Sequence, residues 1–285
     1  MSLPDFHPHH CGQAPHRKPR AAAAPRSKNP RLLPLAIIAI AAAGAAHAQG
    51  TFPPLTDPAT PVMRTLTQVE PRTPIPAGGV FTISTAGSYY LTGNITVPSG
   101  SIGIAINAGD VTLDLNGFTI SSASTSGTTL GIRVNAVTNV TIRNGSIRGG
   151  STGVFLTGGS SARRMRIENL DISDSGSLGI YMNAAIPAVV IQSCTISHVG
   201  NTSYASIASG IAVLSGASVR DCEVDGVVNS SAFNSVGINC SSGCFVTGNT
   251  IKDCDVGISG GKYARNLTYN CATPFSGGTD VSGNN

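Results

Sequence analysis

Short alternations of apolar and polar residues, separated by Gly, Asn, Ser or Thr, fill the chain after Val80. The segment 131–148, GIRVNAVTNVTIRNGSIR, places its apolar residues at Ile132, Val134, Val140, Ile142 and Ile147. A period of two predicts strands, and the polar pairs between them predict tight turns. Because no long amphipathic helical pattern appears after residue 80, the pattern predicts an all-β fold.

The same unit recurs along the chain. A glycine followed by an alternating apolar pair begins at Gly103, Gly131, Gly153, Gly179, Gly210, Gly237 and Gly257, at intervals of 20 to 31 residues. A second element, apolar-x-bend-x-x-apolar, follows with Asn144, Asn169, Ser193, Asp221 and Gly248 at the bend. These residue types suit left-handed backbone dihedrals. Self-similarity at this period is the signature of a solenoid.

Strands this short, repeated without intervening helices, predict a single-stranded right-handed parallel β-helix. Rungs stack about 4.8 Å apart, so equivalent side chains form ladders. The expected interior ladder consists of Ile104, Ile132, Val154, Ile180, Ile211, Ile238 and Ile258. No single rung buries its apolar face alone, so stability is expected to come from the stack.

The first 48 residues differ from the rest. Six Lys and Arg residues precede an apolar run from Leu32 to Ala46, and Ala46-His47-Ala48 matches a cleavage site. We interpret 1–48 as a signal peptide, with an uncleaved membrane anchor as the alternative. Residues 49–77 are predicted to form a linker and a short N-terminal cap, with Val62, Leu66 and Val69 on one helical face. The β-helix is expected over 78–285.

Removal of residues 1–48 would leave 12 Lys and Arg against 13 Asp and Glu, a net charge of −1. This balance predicts no nucleic-acid partner, and the chain is expected to have no membrane span after cleavage. Export to the periplasm or the medium permits disulfides. Six cysteines remain, and at least one bridge is expected from the candidate pairs Cys194/Cys222, Cys240/Cys244 and Cys254/Cys271.

The outward side of the glycine-led strands is the candidate binding site. Phe155 and Tyr181 should be neighbours on it, flanked by Arg133 and the amides of Asn135 and Asn183. Aromatic rings with amides and a guanidinium suit a sugar-binding strip. The alternative is that a loop covers both rings.

The sequence gives less support for candidate catalytic groups. The strip has no carboxylate, whereas glycoside hydrolysis usually needs two. A second outward row, Asp114, Arg143, Glu168, Gln192 and Arg220, is expected to be a surface ion ladder, with Arg143 beside Asp114 or Glu168 as the catalytic alternative. His198 with Asp171 and Asp174 is a further alternative. No metal site or cofactor is predicted.

Three stretches carry a family resemblance: MRTL with EPRTPI at 63–75, GSYYLTGN at 87–94 and VTLDLNGF at 111–118. With the repeats, the chain resembles the pectate-lyase-like superfamily of right-handed β-helix proteins over about residues 78–275. Within it, these stretches look like exported bacterial proteins without an assigned activity. The resemblance implies the fold. It implies no catalytic residue, because the catalytic aspartates of polygalacturonases and the Ca²⁺ carboxylates of pectate lyases have no matching positions.

Two functions follow as hypotheses. The first is an exported, monomeric β-helix protein that binds polysaccharide or a cell-surface glycan without catalysis. The alternative is a polysaccharide lyase or glycoside hydrolase acting on uronate polymers, so the sequence leaves enzymatic activity open. A purely structural surface protein is a third possibility.

Overall fold

The computed structural model describes residues 71–125, 127–200, 208–229, 234–241 and 243–285. The predicted signal peptide and the helical cap around Leu66 lie outside these ranges. Every regular element that the structure describes is a β-strand. Within the same ranges, no helix has the length and apolar character needed to cross a membrane.

The strands form three parallel faces, A, B and C, which the chain visits in that order in each rung. Face A contains β2 (Phe81–Ile83), β5 (Ile102–Ile106), β8 (Leu130–Asn135), β10 (Thr152–Thr157), β12 (Leu178–Met182), β15 (Ser209–Val213), β18 (Val236–Cys240) and the ends of β20 (Thr250–Ser259) and β22 (Leu267–Ser276).

Face B contains β1 (Thr73–Ile75), β3 (Gly87–Leu91), β6 (Val111–Asp114), the first halves of β9 (Thr138–Arg148) and β11 (Arg163–Ser173), β13 (Val189–Gln192), β16 (Ala217–Arg220), β19 (Phe245–Thr247), β21 (Lys262–Ala264) and β23 (Thr279–Ser282). Face C contains β4 (Ile95–Thr96), β7 (Thr119–Ser121), the second halves of β9 and β11, β14 (Thr195–Val199), β17 (Glu223–Val227) and the starts of β20 and β22. The solenoid thus includes β1, which lies before the predicted start at residue 78.

The predicted interior ladder of face A is confirmed. Each member pairs in register with the next, from Ile104 through Ile132 and Val154 to Ile258, and all seven side chains are fully buried. Face B supplies a second ladder through Ile142 and face C a third through Ile147. β-branched side chains suit this interior because they are stiff and favour strand backbone.

The predicted bends between faces B and C also occur. Asn144, Asn169, Ser193, Asp221 and Gly248 all have positive φ, between 51° and 68°. The residue that follows the bend points inward in the later rungs. There, Asn249 and Asn266 form a buried ladder in which each amide oxygen accepts from a backbone N–H one rung earlier, at 2.9 and 3.0 Å. This amide ladder was not predicted.

The repeated glycines are required by close approach rather than by φ. A Cβ built at Gly153 would lie 2.6 Å from Ile172 Cγ2 on face C and 2.7 Å from the carbonyl oxygen of Gly179. The other six repeat glycines have the same two kinds of neighbour within 3.0 Å. The row therefore lets face A begin directly over the face C ladder.

Replacing one member of this row is expected to destabilise the whole stack. Gly153→Ala should lower the free energy of unfolding by roughly 1–3 kcal/mol or more, because a backbone carbonyl and a buried isoleucine must both move. Urea denaturation followed by circular dichroism measures the change. Gly79→Ala is the matched control, since a Cβ there meets nothing within 4 Å and should change stability by about 0.5 kcal/mol at most. Equal effects of the two substitutions would contradict the packing role.

Candidate functional site

The outward strip of face A brings three of the five predicted binding residues together. Arg133 pairs in register with Phe155, and Phe155 pairs with Tyr181. The strip begins with Ala105 before Arg133 and continues with Ala212 after Tyr181. The cluster therefore consists of one cation and two rings, bounded on both sides by small side chains.

The two aromatic rings stack on each other. The ring centroids of Phe155 and Tyr181 lie 5.3 Å apart, and the ring planes differ by 4°. Each ring therefore uses one face against the other. Because of this geometry, a ligand approaching from outside meets the ring edges and the Tyr181 hydroxyl rather than two open faces.

A groove of about 510 Å³ runs along these side chains. Its first wall is formed by Arg133, Phe155 and Tyr181. The opposite wall is an outward row one residue before the repeat glycines, and it consists of Ile102, Leu130, Thr152 and Leu178. The turn at Gly127 and Thr128 closes part of the groove. This volume lies within the range of roughly 300–1,000 Å³ usual for ligand sites.

Sequence reasoning missed this opposite wall. The signal was present, because Leu130, Thr152 and Leu178 each stand immediately before a repeat glycine. An outward apolar residue at that position is not needed by the core. Together with the strip, this row makes the groove mostly apolar.

Arg133 has an unsatisfied donor in the groove. Its Nε atom is buried and has no hydrogen-bond partner. A buried donor without a partner costs about 1–3 kcal/mol. Arg133 also lines the groove, where it is the one charged residue among the described lining residues.

The side chains of Asn135 and Asn183 form hydrogen bonds between rungs outside the groove. The Asn135 side-chain amide donates to the Asn107 side-chain oxygen one rung earlier. The Asn183 side-chain oxygen accepts from the backbone N–H of Gly158 at 2.8 Å. Neither residue lines the groove, so the structure places both in the links between rungs.

The outward row of face B is an ion and amide ladder. Asp114, Arg143, Glu168, Gln192 and Arg220 pair in register. Arg143 Nε donates to Asp114 at 3.2 Å, Gln192 donates to Glu168 at 2.9 Å, and Arg220 Nε donates to Gln192 at 3.0 Å.

Asp114 is the most enclosed member of this row. It is buried, and it also accepts from the backbone N–H of Asn116 at 2.9 Å and from the Asn144 amide at 3.3 Å. Arg72, 3.7 Å away, completes its surroundings. A carboxylate held by this many donors is a structural acceptor, which favours the ladder over the catalytic alternative.

The acid–base alternative around His198 is not assembled. Asp174 pairs with Arg148 at 3.2 Å, and His198 is exposed. In the described part of the chain, His198 forms no ion pair with Asp171 or Asp174. The same ranges contain no group of three His, Cys, Asp or Glu side chains placed to hold a metal ion.

The cysteines fall into one bridge and two stacked thiol pairs. Cys240 and Cys244 form a disulfide, with Cα atoms 6.2 Å apart. Cys194, Cys222, Cys254 and Cys271 are free thiols. The expectation of at least one bridge is thus supported, and among the candidate pairs the structure closes Cys240–Cys244.

Both thiol pairs are hydrogen-bonded across a rung. The hydrogen bond with Cys194, together with burial, raises the pKa of Cys222. Burial and the neighbouring Cys271 sulfur, 3.1 Å away, raise the pKa of Cys254. Cys222 and Cys254 therefore stay protonated, and unreactive, at neutral pH.

Comparison with known proteins agrees with this architecture. A family model described as the right-handed β-helix region matches residues 79–230, which is more than half of the 285-residue chain. The chain belongs to the right-handed β-helix family. No curated protein matches the chain. No solved structure matches it either.

Substitution of Asp114 tests whether this carboxylate stabilises the face B ladder. Asp114→Asn should lower the free energy of unfolding by roughly 1–3 kcal/mol, because Arg143 and Asn144 lose a charged, partly buried acceptor. Asp174→Asn removes an ion pair whose side chains are 64% and 48% exposed and should cost about 1 kcal/mol or less. Thermal denaturation of both variants provides the comparison. A smaller effect at Asp114 than at Asp174 would contradict the structural role.

Alkylation kinetics test the arrangement of the thiols. At pH 8, Cys271 should react with iodoacetamide first, because it is the most accessible of the four free thiols, and Cys222 and Cys254 should react only after unfolding. Peptide mass spectrometry identifies each modified residue. Protection of Cys240 and Cys244 until a reductant is added is the internal control. Rapid native-state labelling of Cys254 would be inconsistent with its burial.

Proposed function

We propose that this right-handed β-helix protein is exported and binds a polysaccharide or cell-surface glycan in the groove beside Arg133. The observation that carries the proposal is that Arg133, the one charged residue among the described lining residues, lies next to the stacked Phe155–Tyr181 pair in one groove. Sugars combine apolar ring surfaces with dense hydroxyl groups. A mostly apolar groove with one guanidinium anchor and one phenol complements that combination.

The shape of the groove supports an extended ligand. The two walls are ladders, so the groove follows the stacking direction for the three rungs that carry Arg133, Phe155 and Tyr181. Adjacent rungs are about 4.8 Å apart, close to the length of one sugar unit in a chain. Consecutive units would meet consecutive rungs.

Two features support export. The Leu32–Ala46 run with its Ala46-His47-Ala48 sequence matches a cleavable signal. The Cys240–Cys244 bridge is typical of proteins outside the reducing cytosol. These features belong to different parts of the chain and point to the same compartment.

The chemistry of the groove supports binding rather than turnover. None of the described residues that line it is Asp, Glu or His. Hydrolysis of glycosides usually requires an acid and a second carboxylate about 5–9 Å apart. The lyase or hydrolase alternative therefore depends on groups that the described groove does not supply.

A glycan array screen followed by titration tests the site. The double variant Phe155→Ala/Tyr181→Ala should weaken binding of the best glycan by about tenfold or more, and Arg133→Gln should do the same by removing the anchor. Tyr269→Ala is the matched control, because that tyrosine is 70% exposed on β22. Its affinity should stay within about twofold of the unchanged protein.

Two outcomes would overturn the proposal. Unchanged binding in the double variant would remove the groove as the site. Release of unsaturated or reducing-end products from uronate polymers by the purified protein, lost in Arg133→Gln, would replace binding by catalysis.

A further inference from the structure

A second groove, of about 300 Å³, lies on face B and shares no residue with the groove beside Arg133. Arg164 and Arg166 line it together with Thr141 of the preceding rung. Ala188 and Val190 contribute apolar surface, whereas the Met165 side chain is buried in the core. Two guanidinium groups, a hydroxyl and an apolar patch thus converge on one depression.

The cations around this groove are concentrated and only partly balanced by carboxylates. Arg163, Arg164 and Arg166 occupy three of four consecutive positions, and all three are exposed. Within the described residues, neither Arg163 nor Arg164 forms an ion pair. Arg166 lies 3.6 Å from Glu168, whose carboxylate also accepts from Gln192. Glu168 and, at the edge of the groove, Asp110 are the nearby carboxylates, so three positive charges face two negative ones.

The backbone at Arg164 is also unusual. Its φ is 53°, and the bend residues at the same position in other rungs are Asp110, Asn139, Ala188, Gly216 and Gly243. Left-handed φ favours Gly, Asn and Asp, and it disfavours long side chains. An arginine is therefore less suited to this bend than the Asp, Asn or Gly found at most of the other rungs.

We propose that Arg164 and Arg166 form an anion-binding subsite that takes a sulfate or phosphate ester carried on a glycan. Each guanidinium can donate two parallel hydrogen bonds. Two such forks match a tetrahedral group with three terminal oxygens better than a planar carboxylate, which has two. Val190 lies beside the cations and provides apolar contact for the sugar ring that bears the ester.

A glycan fits this subsite better than a nucleic acid. The chain after residue 48 has a net charge of −1, whereas nucleic-acid surfaces are usually broadly basic. The carboxylate of Asp110 lies at the edge of the site, where it accepts from the Asn139 side chain at 2.7 Å. A local cluster of three arginines suits one or two anionic groups rather than a continuous phosphate backbone.

The test is calorimetric titration of the purified protein with four probes: a sulfated oligosaccharide, a phosphorylated oligosaccharide, a uronate oligosaccharide and single-stranded DNA. We expect the sulfated or the phosphorylated sugar to bind at least about tenfold more tightly than the other two probes. Arg164→Asn/Arg166→Gln should weaken that binding by about tenfold or more. Asn suits the bend at residue 164, so this variant should fold.

Arg265→Asn is the matched control. Arg265 is another exposed arginine at a left-handed bend, with φ of 54°, so its replacement removes one of the two charges lost in the double variant and relieves the same strain elsewhere. It should change the affinity by less than about twofold. Equal losses in both variants, tighter binding of the DNA or the uronate, or no binding of any sulfated or phosphorylated sugar would each overturn the proposal.

Discussion

In-register parallel stacking is the interaction on which the whole structure depends. Each strand gives its backbone hydrogen bonds to the rungs above and below, so no rung is complete without its neighbours. The side chain at a given position must then fit the same position one rung away. Ile132 lies between Ile104 and Val154 for this reason, and the glycine row lets face A approach the isoleucines of face C.

Stacking also decides which outward-facing polar side chains have a hydrogen-bond partner. A residue pointing outward lies about 4.8 Å from its equivalents, which is close enough for a direct hydrogen bond. Asp114 with Arg143, and Asn135 with Asn107, form such links between rungs. Arg133 is different, because its neighbours in the strip are Ala105 and Phe155, neither of which has a side-chain acceptor. The Arg133 guanidinium therefore lacks the pairing between rungs that the members of the face B ladder have.

The two grooves use the same rigid scaffold in different ways. On face A, apolar ladders form both walls and a single arginine provides polarity, which suits a largely uncharged sugar chain. On face B, two arginines face one depression beside Val190, which suits an anionic ester. Neither groove depends on a loop between helices or domains. Apart from the turn at Gly127 and Thr128 and the bend at Arg164, each is built from strands fixed by hydrogen bonds to both neighbouring rungs, so most of its lining is held in place before any ligand arrives.

The sequence by itself determined the strand and bend pattern of each rung. Local repetition of Gly-Ile pairs and bend residues was sufficient to predict the interior ladders and the left-handed bends at Asn144 and its equivalents, because each rung must satisfy the same packing. It also predicted that Phe155 and Tyr181 are neighbours.

Only the tertiary structure decided how the surface residues are used. Whether the two rings stack on each other, whether Leu130 and Leu178 form a facing wall, and whether Asn183 serves a neighbouring backbone all depend on side-chain directions between rungs. Spacing along the chain does not specify those directions, since residues 20 to 31 positions apart become neighbours only when successive rungs stack. For the same reason the pairing of Cys240 with Cys244, and the free thiols of Cys194 and Cys222, could be decided only in three dimensions.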